Sequence, residues 1–241
     1  MKVTKEGSVL QLTFFPSWFP VNCYLVDEGN TLTLIDTGLP FSYKGILKAA
    51  EALGKPITRI VLTHAHSDHI GSLDSLKARL PDCEVVISTR DAKLLRGDVT
   101  LETGEPQTPV RGGVPKPGEI KTAADLEVSE GDMIGSFRVI ATPGHTPGHI
   151  ALYNEKAGAL LAGDAFQVRG GVAVSGQVKP LFPFPAWATW NKEAAIQSAI
   201  KLEQLNPNVL GVGHGRFLIN PKAVMTQAIR QAQHAVKGER K

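Results

Sequence analysis

The densest chemistry in the sequence is Thr63-His64-Ala65-His66-Ser67-Asp68-His69, where His64, His66, Asp68 and His69 place four potential metal ligands within six positions. A protein core does not suit such a cluster, because burying His, Asp and His together without partners costs roughly several kcal/mol. A divalent cation removes that cost, since imidazole and carboxylate are ordinary zinc ligands. A tight turn can aim His64 and His66 at one ion while Asp68 and His69 face a second.

Other segments repeat these residue types. Thr142-Pro143-Gly144-His145-Thr146-Pro147-Gly148-His149 puts His145 in a glycine- and proline-rich turn whose backbone is free to project the ring inward. His145 is the better ligand candidate there. His149 opens the next strand, where it either orients a ligand or serves a structural role. Asp164, in Gly163-Asp164-Ala165, follows the apolar run Ala159-Leu160-Leu161 and needs a partner or a cation. His214 has Gly213 and Gly215 on either side, giving its ring access. Asp36, in Leu34-Ile35-Asp36-Thr37-Gly38, is a further carboxylate at a strand end, equally suited to capping a turn.

Periodicity indicates the elements that must hold these groups. Strands are expected at Val9 to Phe15, Val21 to Val26 and Leu32 to Ile35, separated by Pro20 and the turn Glu28-Gly29-Asn30. A helix from Ser42 to Leu53 has Ile46, Leu47, Ala50 and Leu53 on one face and Gly54 as its stop. Strand Arg59 to Leu62 then leads into the histidine cluster, with a helix from Gly71 to Leu80 and a strand from Glu84 to Ser88 beyond it. Further strands are expected at Phe137 to Ala141, His149 to Tyr153, Ala159 to Leu161 and Val209 to Val212, and helices at Lys192 to Leu205 and Lys222 to Val236. This alternation argues for an α/β fold. Residues 98–121 are broken by four prolines and four glycines and read as a long loop. A second irregular stretch from Phe166 ends in Leu181-Phe182-Pro183-Phe184-Pro185 with Trp187 just after.

Composition excludes several classes. The 241 residues carry 26 Lys+Arg against 23 Asp+Glu, a formal net charge of +3, with no dense basic run to track a phosphate backbone. At 42% hydrophobic the chain can fill a large core, which excludes disorder. The start lacks an apolar leader and no run approaches the ~18–20 apolar residues of a membrane helix, so a cytoplasmic protein without a membrane partner is expected. Cys23 and Cys83 form no C-x-x-C pair and are expected as free thiols.

Taken in order, I-D-T-G at Asp36, T-H-A-H-S-D-H at 63–69, T-P-G-H at His145, G-D at Asp164 and G-H-G at His214 resemble the metallo-β-lactamase superfamily of hydrolases. The resemblance spans most of the chain. It implies an αβ/βα four-layer sandwich, two mixed β-sheets flanked by helices, forming one domain over 1–241 with loop insertions near 98–121 and 166–187. It implies two divalent ions at a sheet edge, zinc first, with manganese, iron or cobalt as alternatives. His64, His66 and His145 would hold one ion, and Asp68, His69 and His214 the other. Asp164 would bridge both, with Asp36 and His149 supporting ligands from behind. A hydroxide between the ions would attack the carbonyl of an ester, thioester or lactone, with Asp68 orienting it and shuttling its proton. The alternatives are phosphodiester cleavage, or oxidation on a single iron held by His64, His66 and Asp164, as in a persulfide dioxygenase.

Departures from subfamily patterns narrow the substrate. Neither Cys lies at a ligand position and the bridging Asp is present, which disfavours β-lactams. Acyl-homoserine lactonases often carry a Tyr three residues after the bridging Asp, where this chain has Gln167. Glyoxalase II and the persulfide dioxygenases share the T-H-x-H-x-D-H and G-D elements, but their longer glycine, cysteine and arginine stretch is not completed in Gly170-Gly171-Val172-Ala173. Ribonuclease-type members are disfavoured because no basic arm is present. The expected partner is a small molecule, not nucleic acid. Phe182, Phe184 and Trp187, with loop 98–121, either form the walls of its pocket or pack a loop onto the domain.

Overall fold

The structure, a computed structural model, describes residues 1–239. Its first sheet runs in sequence order through β1 (Lys2–Glu6), β2 (Val9–Phe14), β3 (Val21–Asp27), β4 (Leu32–Ile35), β5 (Ile57–Val61), β6 (Glu84–Ser88) and β7 (Leu126–Val128). Strands β1 to β4 pair antiparallel, and β4 to β7 pair parallel. The parallel steps need crossovers. They are supplied by α1 (Tyr43–Leu53) and by the histidine segment with α2 (Ser67–Ile70) and α3 (Leu73–Lys77). The last crossover holds α4 (Thr89–Leu95) and the long loop after it.

The second sheet contains β8 (Met133–Ile134), β9 (Phe137–Ala141), β10 (Ile150–Asn154), β11 (Ala159–Leu161), β14 (Val209–Gly211) and β15 (Leu218–Ile219), in the order β15-β14-β11-β10-β9-β8. A separate hairpin of β12 (Phe166–Gln167) and β13 (Ala173–Val174) follows β11. Then come α5 (Phe184–Trp187), α6 (Lys192–Gln204) and α7 (Lys222–Glu239). The β11–β14 pair is parallel and the other pairs of this sheet are antiparallel.

The two-residue repeat of the strands creates the layers. In β6, Val85 and Ile87 face the helices of the first half, while Val86 faces the second sheet. Strand β3 divides the same way: Cys23 and Leu25 turn outward, Tyr24 and Val26 inward. The second sheet mirrors it, with Val139, Ile150, Leu152 and Leu161 in the central layer and Ile140, Ala151 and Leu160 against α6 and α7. Both sheets are thus covered on both faces, giving the expected αβ/βα order of four layers.

Three local readings change. The helix expected from Gly71 to Leu80 is only the short α3, while α2 lies before that range, and between the two the chain at Gly71 is pressed against the turn after β4. A Cβ at Gly71 would stand 2.7 Å from the Gly38 carbonyl oxygen, and the Gly71 N–H donates to that oxygen at 2.8 Å. Helix α4 follows β6 directly, capped by Ser88, whose side chain accepts the Asp91 N–H. The stretch from Phe166 is not wholly irregular, since it contains the β12–β13 hairpin and the single turn α5. Residues 98–121 contain no helix or strand, as expected. Cys23 and Cys83 are buried free thiols. No helix among the described residues is long and apolar enough to cross a membrane.

Candidate metal centre

The seven ligand candidates lie beyond strand ends of both sheets. His64, His66, Asp68 and His69 follow β5, with Asp68 and His69 on α2. His145 sits between β9 and β10, Asp164 between β11 and β12, and His214 beyond β14. The strands stop at these positions, so the side chains meet at one edge of the sandwich. His64, His66 and His145 form one group whose ligand atoms lie within 4.8 Å of one another. His64, His69 and Asp164 form a second such group, and Asp68, His69 and His214 a third.

Each ring's outer nitrogen has a partner that sets its tautomer. Asp36 accepts the Thr63 N–H and hydroxyl and the His69 Nδ1–H, each at 2.8 Å. The Thr63 hydroxyl oxygen then accepts the His64 Nδ1–H at 3.0 Å. His214 Nδ1–H donates to the Pro20 carbonyl at 2.7 Å, and His66 Nε2–H to the Arg111 carbonyl at 2.8 Å. His145 Nδ1–H faces the Thr189 and Ser175 hydroxyls, each at 3.2 Å. Those hydroxyls spend their own hydrogens on the Pro185 and Asp164 carbonyls. The opposite nitrogen of every ring is left with its lone pair facing inward.

These inward atoms fit a cation. His66 Nδ1 and His145 Nε2, both acceptors, stand 3.0 Å apart, a repulsive pairing that a shared cation relieves. His64 Nε2, His69 Nε2 and Asp164 Oδ1 are buried and have no hydrogen-bond partner, a costly condition for polar atoms. Asp164 is central: Oδ1 lies 3.5 Å from His69 Nε2, and Oδ2 lies 3.3 Å from His145 Nε2 and 3.2 Å from His214 Nε2.

The electrostatics agree with that donor set. Burial and the neighbouring rings hold His64 well below the usual imidazole range, so it is neutral and able to ligate. Burial lowers His145 in the same way, against the pull of Asp164. Burial also works against a charged His69, but Asp36, Asp164 and Asp68 overcome it and raise the ring to about 10. Burial raises the Asp164 carboxyl, and His214 and His69 more than reverse this, leaving it well below the usual carboxylate range.

Asp36 and His149 lie next to the ligand candidates. Asp36, in a left-handed conformation (φ 58°), stands behind His64 and His69. His149 Nε2 accepts the Asp164 N–H at 3.0 Å, so its inner nitrogen is already used and the ring props Asp164. The aromatic residues separate. Phe184 lines a cavity of about 290 Å³ that opens onto His66, Asp68, His145, Asp164 and His214, with Phe19, Leu39, Pro185 and Ala188 as further apolar walls. Phe182 is not a wall: it is fully buried, packed on Phe19 and on the His214 ring. Trp187 stands outside the cavity, edge-on to Phe184 at 5.8 Å. Loop 98–121 contributes Gly113 to the cavity and the Arg111 carbonyl to His66.

Sequence reasoning did not find Ser175, Thr189 or Asp91, nor the carbonyls of Pro20 and Arg111. A carbonyl has no sequence signature, and lone hydroxyls are too common to single out. Asp91 is buried beneath the histidine loop.

The chain belongs to the metallo-β-lactamase superfamily, whose model matches residues 16–214. It is a metal-dependent hydrolase by that membership. It is 55% identical over 233 residues to the uncharacterized protein YobT of Bacillus subtilis strain 168, covering 97% of this chain and 99% of that one. It is 31% identical over 207 residues to the probable metallo-hydrolase YflN of the same strain, covering 79% and 78%. Among solved structures it resembles TTHA1623 in a di-iron-bound form, with a TM-score of 0.65 and 27% identity over 88% of this chain and 95% of that one.

Proposed function

We propose that the protein holds two divalent ions, zinc by the chemistry of its donors, and hydrolyses an ester, thioester or lactone that carries an apolar acyl portion. The observation that carries this reading is the convergence on Asp164, whose two oxygens face histidines of different groups while Oδ1 has no hydrogen-bond partner. His64, His66 and His145 would hold one ion, Asp68, His69 and His214 the other, and Asp164 would reach both. Ions held there supply Lewis acidity, which brings a water's pKa to roughly 7 and polarises a carbonyl. Asp68 is the one ligand candidate that is not buried, its side chain 24% exposed and Oδ2 3.4 Å from His214 Nε2. From there it can take the attacking water's proton and return it to the leaving group. Phe19, Leu39, Phe184 and Pro185 keep solvent from the acyl portion, and among the described residues no lysine or arginine lines the cavity to recognise a phosphodiester.

The test is metal analysis of protein purified without added metal, followed by a panel of esters, thioesters, lactones, phosphodiesters and β-lactams. About two ions per chain are expected, with turnover confined to the esters, thioesters and lactones. Asp68→Ala should lower kcat by roughly 10²–10⁴-fold. One iron per chain with oxygen uptake, or activity unchanged in Asp68→Ala, overturns the reading.

A further inference from the structure

Asp91 on α4 is fully buried and is none of the seven ligand candidates. Its carboxylate is nevertheless bonded to both loops that supply His64, His66 and His145. Oδ2 accepts the Ala65 N–H at 3.1 Å and the Thr146 hydroxyl at 2.7 Å. Oδ1 accepts the Gly148 N–H at 2.7 Å. Ala65 lies between His64 and His66, and Thr146 follows His145 directly. One side chain therefore spans from the loop after β5, in the first sheet, to the turn between β9 and β10, in the second.

The neighbours of Asp91 reinforce the same join. The Ser88 hydroxyl accepts the Asp91 N–H at 3.1 Å and donates to the Gly148 carbonyl at 2.5 Å, so the start of α4 grips both polar groups of Gly148. A Cβ at Gly148 would stand 2.6 Å from Asp91 Oδ1 and 2.7 Å from Ser88 Oγ. Its φ is not positive, so glycine serves here to let the turn approach α4. Apolar replacements of Asp91 would leave three buried donors unpaired, and Asn would turn an NH₂ group toward at least one of them.

We propose that Asp91 is a positioning residue that fixes His145 relative to His64 and His66, and so sets how tightly the ion shared by these three is held. The proposal rests on the two-ion reading above. Asp91 touches no inward-facing nitrogen and acts only through the backbone and hydroxyl groups that carry the ligands. Outer groups that orient ligands are worth roughly 10- to 100-fold in metal affinity.

The experiment is a cobalt(II) titration of chelator-stripped protein, read by visible absorption and by ions retained after dialysis, for wild type, Asp91→Asn and Thr146→Val. The melting temperature of each stripped protein is measured alongside. Wild type should take up two ions. Both variants should hold one of them roughly 10- to 100-fold more weakly, with an altered spectrum for that ion and the other ion unaffected. Thr146→Val removes a single bond to Asp91, so it keeps the test open if Asp91→Asn does not fold. Wild-type affinity and spectrum for both ions in Thr146→Val overturn the proposal. So does an equal weakening of both ions that tracks a fall in the stripped protein's melting temperature. Failure of wild type to take up two ions overturns the two-ion reading and this proposal with it, and is seen before any variant is compared.

Discussion

A methyl group on Gly213 would collide with Asp164 Oδ1 and stand 2.8 Å from His69 Cε1. Gly213→Ala should therefore abolish metal uptake, checked by metal analysis, while circular dichroism still reports the α/β fold. His149 gives a second prediction. Burial, working against the pull of Asp164, lowers this ring to about 3, whereas an unfolded imidazole titrates near ~6.5. Between those values the unfolded chain binds a proton that the folded chain does not. The stabilising contribution is thus complete above ~6.5 and is lost as pH falls toward about 3. In urea denaturation, His149→Gln should reduce the acid-side slope by up to about 1.4 kcal/mol per pH unit relative to wild type. At this scale the ligand candidates were legible, because His and Asp at strand ends are chemically conspicuous. Their outer partners were not, because the groups that fix the tautomers are mostly carbonyls and hydroxyls contributed from distant segments.

Helix α5 and the residues before it show how one short segment divides its labour. Phe182 is buried against Phe19 and the His214 ring, while Phe184 is 47% exposed at the cavity. Phe182→Ala should cost about 3–5 kcal/mol, visible as a lower Tm. Phe184→Ala should change stability by no more than about 0.5 kcal/mol and shift selectivity among acyl chain lengths, read as kcat/KM across a series of esters. Equal losses of Tm in the two variants would contradict this division. Elements with strong two-residue or helical patterns, such as Leu32–Ile35, Glu84–Ser88 and Lys192–Gln204, could be read from the sequence nearly to the residue. Strand β1 escaped because it is an edge strand of charged, mostly exposed residues. Strands β8, β12, β13 and β15 are two residues long, too short to show any period. The break between α2 and α3 follows from contact with Gly38, which lies over thirty residues away and has no local signature.

Across the whole molecule, the centre joins the two sheets: four ligand candidates come from the first half and three from the second. Ions bound there would link the halves and favour the folded state by mass action, by about 4 kcal/mol at a thousandfold excess over Kd. Removing metal with a chelator should lower Tm, and Asp164→Ala should abolish that difference, as measured by calorimetry with and without chelator. The loop that carries His214 is held by the first hairpins of the chain. Asn22 Nδ2 donates to the Val212 and Gly215 carbonyls at 2.7 Å each, Tyr24 Oη to Val212 at 2.6 Å, and Gln11 Nε2 to Gly215 at 3.0 Å. During synthesis those strands leave the ribosome some 190 residues before the loop they hold. A nascent chain therefore carries the docking surface for its last ligand long before that ligand exists, and cannot assemble the complete centre until His214 has emerged. A chain cut short before that point could present its early histidines to a cation, but not the enclosed site.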